Sequence, residues 1–255
     1  MLIDSHAHLN EERFDEDREY LINNLTKNGV ELVLVPGYDL ESSKTSAAMA
    51  KKYSTIYAAV GTHPHDAKDM NEDTLDIYKV LAFEDKVIAI GEIGLDYHYD
   101  NSPRDVQKKW FREQIRLAES FDMPYIVHDR EAHEDIINIM KDELYSGARG
   151  ILHCYSGSVE MAREFIKMGF MISLGGPVTF RNAKTAKRVA LEIPLENLLI
   201  ETDAPYMAPE PNRGKRNEPS YVRYVAEEIA KIRNIEYDEV VKRTNANFKK
   251  LFALV

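Results

Sequence analysis

Short apolar or β-branched runs alternate along the chain with longer segments in which apolar residues recur every three or four positions. The runs predict strands at Leu2–Ser5, Val30–Pro36, Ile56–Val60, Val87–Gly91, Tyr125–Val127, Gly150–Leu152, Phe170–Ser173 and Leu198–Ile200. Between them the helical period predicts, for example, helices over Phe14–Lys27, Ser42–Tyr53, Arg104–Phe121, His133–Leu144 and Val159–Met168. Gly29 and Gly169 follow two helical segments where a C-terminal cap is expected, and Pro103 stands at the opening of another. Eight strand–helix alternations with short connections imply a parallel sheet, and eight is the number that closes a (β/α)8 TIM barrel. The last stretch differs. Tyr221–Arg233 and Glu236–Phe252 read as two successive helices that cover the outside or the base of the barrel. No stretch rich in Gly, Ser or Pro divides the chain, so 1–255 reads as one domain. A doubly wound open sheet is the main alternative, because local patterns do not report closure.

The strand ends carry the candidate chemistry. His6 and His8 follow the first apolar run, and in extended backbone residues i and i+2 point the same way. Such a pair can present two imidazoles to one metal ion. His63 and His65 follow the third strand, Glu92 and Asp96 the fourth, His128 the fifth, His153 the sixth, and Glu201 and Asp203 the eighth. Six of the eight predicted strands thus deliver a His, Glu or Asp at the C-terminal end, and seven of the eight histidines lie just after strands. In a closed barrel those ends meet at one rim, where such barrels build their active sites. His6, His8, His128, His153 and Asp203 are the candidate ligands, with Glu92, between glycines, as a carboxylate that bridges two ions. Glu201 and His63 are expected to support the ligands or a third ion, and Asp203 also suits a proton acceptor. Four histidines with two or three carboxylates and no thiolate suit a binuclear divalent site. Paired ions lower the pKa of a bridging water and clamp both oxygens of a displacement.

Composition narrows this further. Of 255 residues 44% are hydrophobic and 30% charged, as in ordinary soluble proteins, and no apolar run approaches the ~20 residues that span a bilayer. The single cysteine, Cys154, excludes an intrachain disulfide and, with no signal-like N-terminus, leads us to expect a cytoplasmic protein. The net charge of −10 argues against non-specific coating of duplex DNA, although metals add charge that this count omits. Against that acidic background Arg130 and the basic run Arg213, Lys215 and Arg216 are candidate phosphate contacts, and Tyr97, Tyr155 and Tyr206 candidate stacking partners for unpaired bases. No Gly-rich phosphate loop and no Gly-x-Ser-x-Gly elbow is present.

Taken together these residues resemble the TatD family of metal-dependent deoxyribonucleases, within the amidohydrolase-like barrels. The likeness covers nearly the whole chain. It rests on Ile3 to Leu9, Val60 to His65, Ile90 to Tyr97, Pro124 to Arg130, His153 to Gly157, and Glu201 to Tyr206 continuing through Arg213 to Pro219. The resemblance implies two divalent ions (magnesium, manganese or zinc) on His6, His8, Glu92, His128, His153 and Asp203, with Glu92 bridging. It implies hydrolysis of DNA phosphodiesters, exonucleolytic and from a 3′ end. A small-molecule amidohydrolase or esterase is the first rival. Many binuclear relatives place a carboxylated lysine at the end of the fourth strand, where this chain has Glu92. A non-catalytic metal-binding scaffold is the second, and no ligand position has been lost to support it.

Overall fold

The computed structural model describes residues 1–254. Eight parallel strands lie in sequence order in one sheet: β1 (Leu2–Asp4), β2 (Val30–Pro36), β3 (Ile56–Val60), β4 (Val87–Asp96), β5 (Tyr125–Arg130), β6 (Gly150–Leu152), β7 (Phe170–Leu174) and β8 (Leu198–Ile200). The helices between them are α1 (Arg18–Asn23), α2 (Leu40–Lys52), α3 (Glu72–Leu81), α4 (Arg104–Ser120), α5 (His133–Asp142), α6 (Val159–Lys167) and α7 (Lys184–Glu192). Two more, α8 (Val222–Arg233) and α9 (Tyr237–Leu251), follow the last strand.

The sheet closes where β8 returns to β1. Ser5 N–H donates to the Ile200 carbonyl at 3.1 Å, Asp203 N–H to His6 at 2.9 Å, and His8 N–H to Ala204 at 2.7 Å. The buried Asp4 carboxylate completes the seam by accepting from the Thr202 backbone N–H at 2.9 Å and its hydroxyl at 2.5 Å. The open-sheet alternative is thereby excluded, and the fold is the (β/α)8 barrel.

At the other end the barrel is plugged. Ile3, Leu34, Ala59, Ala89, Ile126, Ile151 and Leu199 point into its base, with Met171 beside them, so every strand contributes one apolar side chain. Phe248, Leu251 and Phe252 of the α9 segment fill this ring. Asn245 and Asn247 fix the helix in place through Ile3 N–H, Met1 O, Leu195 O and Leu198 O. The C-terminal pair therefore divides its work: α9 seals the base, while α8 packs against α7 and α9 on the outside.

The structure differs from the sequence reading in two respects. The single helix expected over Phe14–Lys27 is broken into the short α1 and flanking 3-10 turns at Glu12–Phe14 and Thr26–Asn28. Arg18 explains the late start of α1, because its guanidinium binds back to the carbonyls of Leu9 (2.6 Å) and Glu11 (2.9 Å). Second, β4 and β5 run past their apolar segments, so Glu92, Asp96, His128 and Arg130 lie on strands and not in loops. Gly94 makes this extension possible. It pairs with His128 at φ +143°, and a β-carbon there would sit 2.0 Å from the His128 carbonyl oxygen. We expect Gly94→Ala to lower stability by at least ~2 kcal/mol, since the added methyl meets backbone and the φ disfavours L side chains. Urea unfolding with a midpoint equal to the parent's would refute this.

Candidate metal centre and active site

Strand parity puts the chemistry above the apolar layer. Ile126, Ile151 and Leu199 face the barrel interior at its base. Two residues further on, the same rows present His128 on β5, His153 after β6 and Glu201 after β8, and a further step reaches Arg130 and Asp203. Glu92, Gly94 and Asp96 form the corresponding row on β4. His6 and His8 enter through the seam. The mouth above is a cavity of about 750 Å³ lined by His8, His63, Glu92, His128, His153 and Asp203, among others.

The Glu92 carboxylate, 2% exposed, lies at the middle. Its Oε2 is 3.3 Å from His6 Nε2 and 3.4 Å from His8 Nε2. Its Oε1 is 2.9 Å from His128 Nδ1, 2.8 Å from His153 Nε2 and 3.5 Å from His63 Nε2. Asp203 Oδ1 adds to the first group, 3.8 Å from His6 Nε2 and 3.6 Å from His8 Nε2. Within each group ring nitrogens face one another, His6 and His8 at 3.1 Å, and His128 and His153 at 3.2 Å. Donors sharing one ion at ~2.1 Å stand ~3–3.5 Å apart. The spacing and the donor chemistry therefore fit divalent cations. Three sets of donor atoms lie within 4.8 Å of one another: His6, His8 and Asp203; His6, His153 and Glu201; His63, Glu92 and His128.

Burial lowers the pKa of His6 and of His63, which keeps both rings neutral. Burial opposes ionisation of Glu92, but the charge of nearby His153 and the hydrogen bond from His128 outweigh it and hold the carboxylate well below its usual range. Asp203 moves the other way. Burial raises its pKa, and the neighbouring Glu92 charge adds to the rise, making it a better proton acceptor than an exposed aspartate.

His63 lies at the centre but is constrained. Its Nδ1 accepts the His65 backbone N–H at 3.1 Å, so in the neutral ring Nε2 carries the proton and points toward Glu92. That tautomer donates a hydrogen bond and offers no lone pair to an ion. Glu201 is fully buried, accepts the Cys154 N–H at 2.6 Å and approaches His153 Nδ1 at 3.4 Å, on the side of that ring away from Glu92.

The structure sorts the remaining candidates. Arg130 and Arg213 line the cavity, each stacked on an aromatic ring: Arg130 over Tyr99 at 5.1 Å and Arg213 over Phe180 at 4.3 Å. Lys215 lines it too. Arg216 does not reach it; the guanidinium is spent on Asp17 at 2.5 and 2.8 Å and on the Arg13 carbonyl. Tyr206 lines the cavity beneath Arg13, but Tyr97 bonds Asp135, and Tyr155 is buried with its hydroxyl on Ser158 O. Sequence reasoning missed Arg13, Tyr38, Tyr99 and Phe180, which come from loops after four different strands and share no local pattern. It also passed over the role of Asp96, whose carboxylate touches both His65 and His128.

A closed barrel with this buried cluster of histidines and carboxylates at its C-terminal rim defines a metal-dependent hydrolase. Comparison with known proteins places it more closely. The family model described as TatD related DNase matches residues 3–253, and the chain belongs to the TatD family. The uncharacterized metal-dependent hydrolase YabD of Bacillus subtilis is 50% identical over 254 residues, covering 100% of both chains. A protein of Cronobacter sakazakii named 3′-5′ ssDNA/RNA exonuclease TatD is 33% identical over 257 residues, covering 98% of this chain and 97% of its own. Among solved structures, the TatD homologue YJJV of Escherichia coli K12 superposes with a TM-score of 0.94 at 30% identity, covering 100% of this chain and 98% of that one.

Proposed function

We propose that residues 1–255 act as one cytoplasmic hydrolase domain that cleaves phosphodiester bonds of single-stranded DNA from a 3′ end. Two divalent ions (magnesium, manganese or zinc) would serve it. His6, His8 and Asp203 would hold one and His128 and His153 the other, with Glu92 between. The observation that carries this reading is the split of the Glu92 carboxylate, one oxygen toward each histidine pair. When bound, such ions supply positive charge that acidifies water and neutralises the non-bridging phosphate oxygens.

The chain's own groups do the rest. Asp203, lifted by burial, accepts the proton of the attacking water. Glu201 holds the far side of His153, and His63 turns Nε2 toward Glu92 at 3.5 Å, so both support the ligands; the tautomer of His63 speaks against its holding a third ion. The rim favours an unpaired strand. Arg13, Arg130 and Arg213 are each stacked on an aromatic ring around one cavity, an arrangement that pairs phosphate charge with base-stacking surface. The name of the Cronobacter relative supports the same substrate.

The purified protein should digest 3′-end-labelled single-stranded DNA with added divalent metal and lose that activity in chelator. Turnover of lactones or cyclic amides in place of every nucleic acid tested would overturn the proposal in favour of a carbonyl hydrolase. The rim gives a graded check. Arg130→Ala is expected to raise KM for DNA about tenfold, the loss of one charge-assisted phosphate contact, while Arg216→Ala leaves KM unchanged. Equal effects of the two variants would contradict the assignment of the rim.

A further inference from the structure

We infer that Asp96 is a positioning residue that selects the histidine nitrogen offered to the second ion and ties that ligand to the substrate wall. The inference rests on the reading of His128 as a metal ligand. Asp96 is 1% exposed and its two oxygens serve different neighbours. Oδ2 lies 3.1 Å from His128 Nε2 and 3.0 Å from His65 Nε2. Oδ1 accepts the backbone N–H groups of His98 at 3.0 Å and Tyr99 at 2.8 Å. The peptide of Asp96 is itself pinned, because its N–H donates to Gln107 Oε1 at 2.9 Å.

An ionised carboxylate is acceptor only, so both ring nitrogens that face Oδ2 must carry hydrogen. When His128 gives Nδ1 to an ion, its one ring hydrogen is on Nε2, where Asp96 accepts it. Nδ1 is the atom that stands 2.9 Å from Glu92 Oε1 and 3.2 Å from His153 Nε2. Without this partner the ring is free to carry its proton on Nδ1, where it closes the donor set to a cation. The same carboxylate fixes the backbone at Tyr99, whose ring lies under the Arg130 guanidinium at 5.1 Å. One side chain thus orients a ligand with one oxygen and, with the other, the turn that carries the aromatic support of a cavity arginine.

Asp96→Asn tests this sharply. The amide keeps an oxygen for the two backbone N–H groups but turns an N–H toward His128 Nε2, which then has to accept. In the zinc-loaded parent, 15N chemical shifts of the His128 ring should report zinc on Nδ1 and hydrogen on Nε2, whereas the variant's ring should keep its hydrogen on Nδ1. Zinc titration against a chromophoric chelator should show one equivalent weakened ~10–100-fold, the usual cost of losing a partner behind a ligating histidine. The other equivalent and the circular dichroism spectrum should be unchanged. An unaltered tautomer with unaltered zinc binding would overturn the inference. So would zinc on Nε2 of His128 in the loaded parent, a measurement that does not depend on the variant folding. His128→Ala separates the two levels. If it binds zinc like the parent, the reading of His128 as a ligand fails; if it loses an equivalent that Asp96→Asn retains, only the role of Asp96 fails.

Discussion

Asp203→Asn is expected to reduce metal-dependent DNA hydrolysis by ~10²–10⁴-fold, the range that a positioned general base contributes, while leaving the thermal midpoint within a few degrees of the parent. Asparagine is the discriminating replacement. Asp203 has φ 57°, a left-handed conformation that asparagine tolerates better than alanine or a branched residue. Its N–H bond to the His6 carbonyl at 2.9 Å and its contact with the His pair are isosteric in the amide. What the amide lacks is the carboxylate charge, which serves both as proton acceptor and toward an ion. Burial gives the aspartate a raised pKa, and an amide at the same place accepts no proton at all. A variant that keeps full turnover would show that proton transfer runs through another group.

Phe248→Ala carries the largest expected cost in stability, about 3–5 kcal/mol. Phe248 is 1% exposed and stands in the apolar ring at the base of the barrel, against Phe252 at a centroid distance of 4.7 Å. All eight strands meet that ring, so no single element can move in to fill the void. Against a typical total of ~5–15 kcal/mol the loss is a large fraction. Urea unfolding measures it directly. A loss below ~1 kcal/mol would mean that α9 is an ornament on a barrel stable without it.

Much of this was legible in the sequence, for a definite reason. Strands β3, β6 and β8 are apolar from end to end, so their limits follow from the pattern alone. The site was legible because its residues stand one or two places beyond such runs, as with His153 after Leu152 or Glu201 after Ile200. The pattern failed where strands continue through polar residues. β4 and β5 keep pairing through Asp96 and Arg130, held by cross-strand backbone bonds that no hydrophobic period records. It also failed wherever function depends on pairing across the barrel. Nothing near Arg216 announces that Asp17 neutralises it, and nothing near Asp96 announces that His65 and His128 share its oxygen.

The β1–β8 seam makes assembly of the catalytic centre and completion of the fold one event. The amides of Ser5, His8 and Asp203 donate across it, and two of those residues belong to the proposed site. Their hydrogen exchange is therefore a substrate-free gauge of the active state. Slow exchange at these three amides reports an assembled site, and any substitution that lets them exchange ahead of the β2 to β7 ladders has opened the site without unfolding the protein.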